Sequence, residues 1–193
     1  MGVTDLVVDA VRSALPPGRI LVALSGGADS AVAAWGCRQV AGARNVRLVH
    51  VDHGLPDSPT MRAAANLVAD ALGIRLRVVS VDMAGRGSEE TRARLARMAA
   101  LDATVGADEW IVTGHHRDDV AEGVLVQLLR GGGPRALSGI ETSTPDGIIR
   151  PLLPWSREEI RAWLEERDIA WRMDSSNSDL DLLRNRVRLD LLP

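Results

Sequence analysis

The chain has 193 residues, 46% of them hydrophobic and 25% charged, with a formal net charge of −3 at pH 7. That length suits one α/β domain with a sizeable core, and the composition is globular rather than fibrous or disordered. The charge balance excludes a broad nucleic-acid-binding surface but leaves room for local arginine patches, and no apolar run approaches the roughly 20 residues that span a bilayer. The N-terminus has no basic segment followed by an apolar core, so a cytoplasmic location is expected by default. A single cysteine, Cys37, excludes an internal disulfide and a multi-cysteine metal site within one chain. Every one of the 23 cationic side chains is arginine, and Phe and Tyr are absent. No lysine is therefore available as a base or Schiff-base former, and base stacking falls to Trp, His or Arg planes.

In chain order, residues 4–15 form a capped amphipathic pattern that ends at Pro16-Pro17-Gly18. Residues 20–24 are a continuous apolar run and predict a buried strand; Ser25-Gly26-Gly27-Ala28-Asp29-Ser30 follows, then a helical pattern over residues 31–40. A second strand is expected over residues 46–51, ending at Asp52-His53-Gly54. It is followed by a helix over residues 59–72 closed by Gly73 and a strand over residues 75–81. Next come a helix over residues 88–105, a strand over residues 110–113 and a helix over residues 116–130, broken by Gly131-Gly132-Gly133-Pro134. Residues 148–153 predict a fifth strand, and residues 157–166 and 180–192 two last helices. The alternation of strand and helix predicts an α/β, Rossmann-like fold, a parallel five-stranded sheet with helices on both faces.

The segment from Ser25 to Ser30 carries the clearest chemistry. A strand that turns through two glycines into a helix start aims unpaired N–H groups and the positive dipole end at one point, which suits a phosphate. The glycines permit close backbone approach, and the hydroxyls of Ser25 and Ser30 add donors. A Walker A loop is excluded because it needs a lysine, and the spacing of a dinucleotide fingerprint is absent. In an open parallel sheet ligands sit beyond the carboxyl ends of the strands. Asp52-His53-Gly54 and Gly114-His115-His116-Arg117-Asp118-Asp119 fall at the same kind of position, so the three clusters predict one nucleotide site.

Asp118, Asp119 and Glu122 sit in the first turns of a helix, with Asp118 and Glu122 on one face. They complement the helix dipole, and would equally suit Mg²⁺ on ATP or the ammonium group of a cationic substrate. His115 and His116 diverge in direction, which disfavours joint ligation of one ion. Glu90, Arg94 and Arg97 share a helix face, either as a solvated ion-paired stripe or as part of the site. Arg184-Asn185-Arg186-Val187-Arg188 is likewise a solvated helix face or an anion-binding patch.

The loop Ser25-Gly26-Gly27-Ala28-Asp29-Ser30 resembles the pyrophosphate loop of the N-type ATP pyrophosphatases, which cleave ATP to AMP and pyrophosphate. Seven further motifs, taken in order, resemble those of the tRNA(Ile)-lysidine synthetase family. They are Val51-Asp52-His53-Gly54-Leu55, Glu90-x-x-x-Arg94-x-x-Arg97, the stretch from Thr113 to Glu122, Leu129-Arg130-Gly131-Gly132-Gly133, Arg150-Pro151-Leu152-Leu153, Asp174-Ser175-Ser176-Asn177, and Arg184-Asn185-Arg186-Val187-Arg188. The resemblance implies an adenine nucleotide alpha hydrolase-like fold. It also implies a ligase reaction in which ATP, with Mg²⁺, adenylates the wobble cytidine of an isoleucine tRNA with a CAU anticodon. An amine of free lysine then displaces AMP.

By that resemblance Ser25, Gly26, Gly27, Ala28 and Ser30 hold the pyrophosphate, and Asp29 orders the loop or Mg²⁺. Asp52, His53, Gly114 and His115 lie near the nucleotide, and Arg94 contacts phosphate or the activated intermediate, with Arg97 beside it. Asp119 and Glu122 contact lysine; Asp118 lies nearby and is a second candidate for Mg²⁺. Arg130 sits on a loop over the site, and Asn177, Arg184 and Arg188 support the tRNA-facing edge. The chain departs from the family pattern at Met98, Val120 and Gly123, where tyrosine, glutamine and threonine are usual. These changes remove hydrogen bonds but no phosphate or carboxylate group.

The resemblance makes residues 1–193 a single catalytic domain, with residues 151–193 its helical C-terminal part and no separate C-terminal tRNA-binding domain. No membrane partner is expected, and a homodimer is one admissible assembly. Three other readings compete. A pyrophosphatase-loop tRNA thiolase would activate the same carbonyl, but its cysteine pairs are absent. A noncatalytic ATP- or AMP-binding module would bind without releasing pyrophosphate. A metal-dependent phosphoesterase is prompted by Asp52-His53 and the histidine–aspartate run, yet it leaves the serine–glycine loop unexplained.

Overall fold

The computed structural model describes residues 3–133, 138–169, 171–173 and 182–192. Five strands, β1 (Arg19–Ala23), β2 (Val46–Asp52), β3 (Leu76–Ser80), β4 (Glu109–Val112) and β5 (Ile148–Ile149), form one sheet in the order β3-β2-β1-β4-β5. All neighbours run parallel, with Ile20 opposite Val46 on one side and Trp110 on the other. The helices are α1 (Val3–Ala14), α2 (Ala28–Ala41), α3 (Ser58–Leu72), α4 (Glu89–Asp102), α5 (Arg117–Leu129), α6 (Arg157–Glu165) and α7 (Leu183–Arg186).

Side chains that alternate along a strand supply two cores, one on each face of the sheet. Ile20 and Val22 of β1 join Val7, Val11, Val32, Val68 and Trp163 in the larger core, under α1, α2, α3 and α6. Leu21, between them, joins Val49, Ile111, Ile148 and Leu101 of α4 in the smaller one. Trp163 is fully buried and meets Trp35 edge-on at 4.7 Å between ring centroids. Among the described residues no helix is long and apolar enough to cross a membrane.

The expected parallel five-stranded sheet is present, and two expected elements need correction. The fifth strand, read over residues 148–153, has only two residues, because Pro151 has no N–H to offer the ladder and the chain turns at once. That turn is closed by Leu153 N–H to Arg150 O and Trp155 N–H to Leu152 O. The last helix, read as one piece over residues 180–192, is a short α-helical stretch, α7, that continues as a π-helical stretch over Val187–Leu191. Its first two expected residues, Leu180 and Asp181, lie outside the described residues.

Candidate active site

The order β3-β2-β1-β4-β5 reverses direction at β1, so the crevice beyond β1 and β4 is where such a sheet admits a ligand. A cleft of about 790 Å³ opens there, lined by Ser25, Asp29 and Ser30 after β1, His53 after β2, and Thr113, Gly114 and His115 after β4. Arg94 and Arg97 of α4, Asp119 of α5, and Arg184 and Arg188 from the C-terminal segment complete the walls. The three clusters read from the sequence therefore do meet at one place.

The loop after β1 is stitched by Ser30. Its Oγ accepts from Ser25 N–H at 3.1 Å, donates to Gly27 O at 2.9 Å and lies 3.0 Å from Ser25 Oγ. Gly27 N–H reaches Ser25 Oγ at 3.3 Å. Helix α2 starts at Ala28, earlier than the pattern suggested, so half of the loop is the first helical turn. Two glycines are there for space. A Cβ on Gly26, whose φ is +95°, would lie 2.3 Å from Met61 O, and one on Gly114 would lie 2.7 Å from the carbonyl carbon of Asp29. Gly114 thus lets the β4 loop press directly onto the backbone of the serine–glycine loop.

Asp29 faces the cleft from the first turn of α2, and its Oδ1 is buried without a hydrogen-bond partner. Burial raises its pKa, and Asp119 adds to that, although His116 opposes it. His116 is fully buried, with Nε2 3.7 Å from Asp29 Oδ1 and 3.6 Å from Asp119 Oδ2. His115 bonds Thr113 Oγ1 through Nδ1 at 2.8 Å, and burial lowers its pKa to about 4, so it is neutral at pH 7.

The arginines create a positive wall. Burial lowers the pKa of Arg97, and Arg94 and Arg184 lower it further; burial and then Arg94 do the same to Arg150. Guanidiniums that repel one another in a partly dehydrated cleft gain from an incoming anion. Acid groups are placed with more selectivity. Asp119 Oδ2 accepts His116 N–H at 3.1 Å, while Oδ1 meets Arg184 Nη2 at 2.8 Å. Glu122 is wholly buried and is gripped by Arg157, Arg184 and Arg188. Burial alone would raise its pKa, but the hydrogen bonds from Arg188, Arg184 and Arg157 prevail and bring it to about 2.

Several expected site residues stand elsewhere. Asp118 does not line the cleft; its Oδ2 accepts Arg157 N–H at 2.6 Å and so joins α5 to the start of α6. Asp52 Oδ1 closes the turn after β2 by accepting Gly54 N–H at 2.9 Å, and Oδ2 lies 3.6 Å from Arg62. Ala28 is packed into the larger core. Arg130 caps the far end of α5, outside the cleft lining, and Asn177 lies outside the described residues. Conversely, Arg157, which bonds Glu122 behind the cleft lining, was missed, and His116, read only as part of its cluster, is buried between Asp29 and Asp119. Arg157 gave only a weak signal, a basic residue directly after the helix-capping Ser156, and its partner Glu122 is 35 positions away.

The chain is similar to known proteins both in sequence and in fold. A tRNA(Ile)-lysidine synthase from Salinispora tropica is 44% identical over 200 residues, covering 95% of this chain and 60% of the relative. One from Alkalilimnicola ehrlichii is 39% identical over 186 residues, covering 92% and 42%. The chain thus spans about half the length of such relatives. A U34-tRNA thiolase from Methanococcus maripaludis superposes with a TM-score of 0.78 at 20% identity, covering 96% of this chain and 70% of that one. An NH3-dependent NAD synthetase from Campylobacter jejuni superposes at 0.59 and 15% identity, covering 98% and 85%. These structural likenesses speak to the fold alone. Together with the serine–glycine loop at the sheet's switch point, a match of the PP-loop domain family to residues 4–193 shows that the chain belongs to that family.

Proposed function

We propose that this chain binds ATP on the loop of Ser25, Gly26, Gly27 and Ser30 and adenylates the wobble cytidine of a CAU-anticodon isoleucine tRNA. Free lysine then displaces AMP and forms the carbon–nitrogen bond. The observation that carries the proposal is the pairing of two chemistries in one cleft: a serine–glycine loop and arginines that suit phosphate, and among them Asp119, a carboxylate that lines the cleft and bonds Arg184. The N–H groups and hydroxyls of the loop meet the pyrophosphate as its charge grows, which is where fixed donors contribute most. Arg94 and Arg97 neutralise the nucleotide phosphates, and the depressed pKa of Arg97 reflects a place that gains from an anion. Asp119 receives the substrate ammonium, and Gly114 and His115 bound the nucleotide pocket.

Mg²⁺ fits the site through Asp29, a carboxylate that lines the cleft and whose Oδ1 has no hydrogen-bond partner. Mg²⁺ commonly takes one or two carboxylates plus substrate phosphates. Bound there, it would supply charge neutralisation for the phosphates. Asp118 is not assigned to it, since the amide of Arg157 holds its Oδ2.

The direct test is transfer of labelled lysine to a CAU-anticodon isoleucine tRNA transcript with ATP and Mg²⁺, following AMP and pyrophosphate in the same reaction. Incorporation with both products supports the proposal. Products without incorporation would assign the cleft to another nucleophile, and ATP binding with no products would make the chain a binding module.

A further inference from the structure

The geometry points to Glu122 as a positioning residue that aims arginines at phosphate, not as a ligand of the substrate amine. The inference rests on the proposed activity for its account of the amine, and on the structure alone for its account of Glu122.

A carboxylate offers two oxygens with about four lone-pair directions in all. At Glu122 each oxygen already accepts two bonds. Oε1 takes Arg157 Nη2 at 2.6 Å and Arg188 Nε at 2.7 Å; Oε2 takes Arg184 Nε at 2.8 Å and Arg188 Nη2 at 3.0 Å. The side chain is 1% exposed and is absent from the cleft lining, so an ammonium has neither a path to it nor a lone pair left on it. Asp119, one turn earlier, does line the cleft and is 15% exposed. The two acids that look equivalent on a helix wheel are therefore separated by function: Asp119 for the amine, Glu122 for the arginines.

What Glu122 holds is informative. Arg157 opens α6, whereas Arg184 and Arg188 lie on the C-terminal segment 182–192 and both line the cleft. Three guanidiniums converge on Glu122, and two of them, Arg184 and Arg188, line the cleft, so the buried carboxylate fixes where those two stand in the cleft wall. Fixed, preorganised guanidiniums recognise phosphate oxygens, from either the nucleotide or the RNA backbone.

The test compares Glu122→Gln, Arg188→Met, their double variant and Asp119→Asn. ATP binding and binding of an RNA hairpin with a CAU loop are measured by calorimetry without lysine; the KM for lysine is measured in turnover. Glu122→Gln is expected to weaken ATP or hairpin binding at least tenfold, with the KM for lysine within twofold of the unaltered chain. A loss confined to ATP locates the phosphate on the nucleotide, and one confined to the hairpin locates it on RNA. The double variant should be no weaker than the worse single one, because both changes break the same contact. Asp119→Asn should show the opposite pattern. A tenfold or larger rise in the KM for lysine in Glu122→Gln overturns the inference, as do unchanged ATP and hairpin affinities, or additive losses. Should Glu122→Gln not fold, Arg188→Met carries the same expectations, since it leaves Glu122 two guanidiniums. If the unaltered chain incorporates no lysine, the proposed activity fails, and the two binding measurements alone decide the role of Glu122.

Discussion

At the scale of single residues, the proposed function assigns one set of cleft groups to phosphate and Asp119 to an amine. Ser30 belongs to the first set, since its hydroxyl both stitches the loop and lies within it. Ser30→Ala should weaken ATP binding by roughly 1.5–3 kcal/mol, the range for a hydrogen bond to a charged group, as read by a titration of the two proteins. An unaltered isotherm would remove the hydroxyl from the phosphate seat. Asp119→Ala belongs to the second set and is expected to keep measurable ATP binding while losing lysine-dependent turnover. The loss of the carboxylate also frees Arg184 from one partner, so the variant leaves the wall more positive, not less. Turnover equal to the unaltered chain would take Asp119 out of the site.

At the scale of elements, the strands and the loop were legible because their signals are local. The apolar run of β1 and the paired glycines after it need no distant partner to be read. What was not legible depended on docking between elements. Asp118 and Asp119 are both acids in the first turn of α5, and the helix pattern gives no reason to prefer either; only the family resemblance singled out Asp119 for the amine. The arrival of α6, whose first amide takes Asp118, leaves Asp119 to the cleft. Likewise Pro151 cuts β5 to two residues inside a run that reads as a strand, and the arginine triplet on Glu122 joins parts of the chain 35, 62 and 66 positions apart. The contact between the β4 loop and the start of α2 yields its own prediction. Gly114→Ala would set a methyl group against the Asp29 and Ser30 backbone at 2.7–2.8 Å. Backbone cannot rotate away as a side chain can, so the two loops must part, at a cost of about 1–3 kcal/mol. Lower denaturation midpoint and weaker ATP binding should appear together; a stable protein with full affinity would contradict the close approach.

At the scale of the whole molecule, the Glu122 cluster ties α5, α6 and the C-terminal segment into one body, and its protonation behaviour is therefore a stability property. Glu122 has its pKa lowered from 4.5 to about 2 in the folded chain. Above 4.5 the group is ionised in both folded and unfolded chains, and the arginine bonds contribute in full. As pH falls below 4.5 the unfolded chain takes up a proton that the folded chain refuses until about 2, so folding loses stability across that window. His115 acts in the same direction at higher pH. Its pKa drops from 6.5 to about 4, so the unfolded chain binds the extra proton between those values. The expected result is a continuous decline in stability from pH 6.5 toward pH 2, in two adjoining windows. The lower window should amount to on the order of 2 kcal/mol once solvent and salt screening are allowed for. Urea denaturation at a series of pH values checks this. His115→Gln should reduce the slope above pH 4, where His53 still contributes in the same sense, and leave the lower limb, whereas Glu122→Gln should lower the whole curve at neutral pH and reduce the slope below pH 4.5. A flat profile for the unaltered chain between pH 4.5 and pH 2.5 would mean that the three arginines do not hold Glu122 ionised.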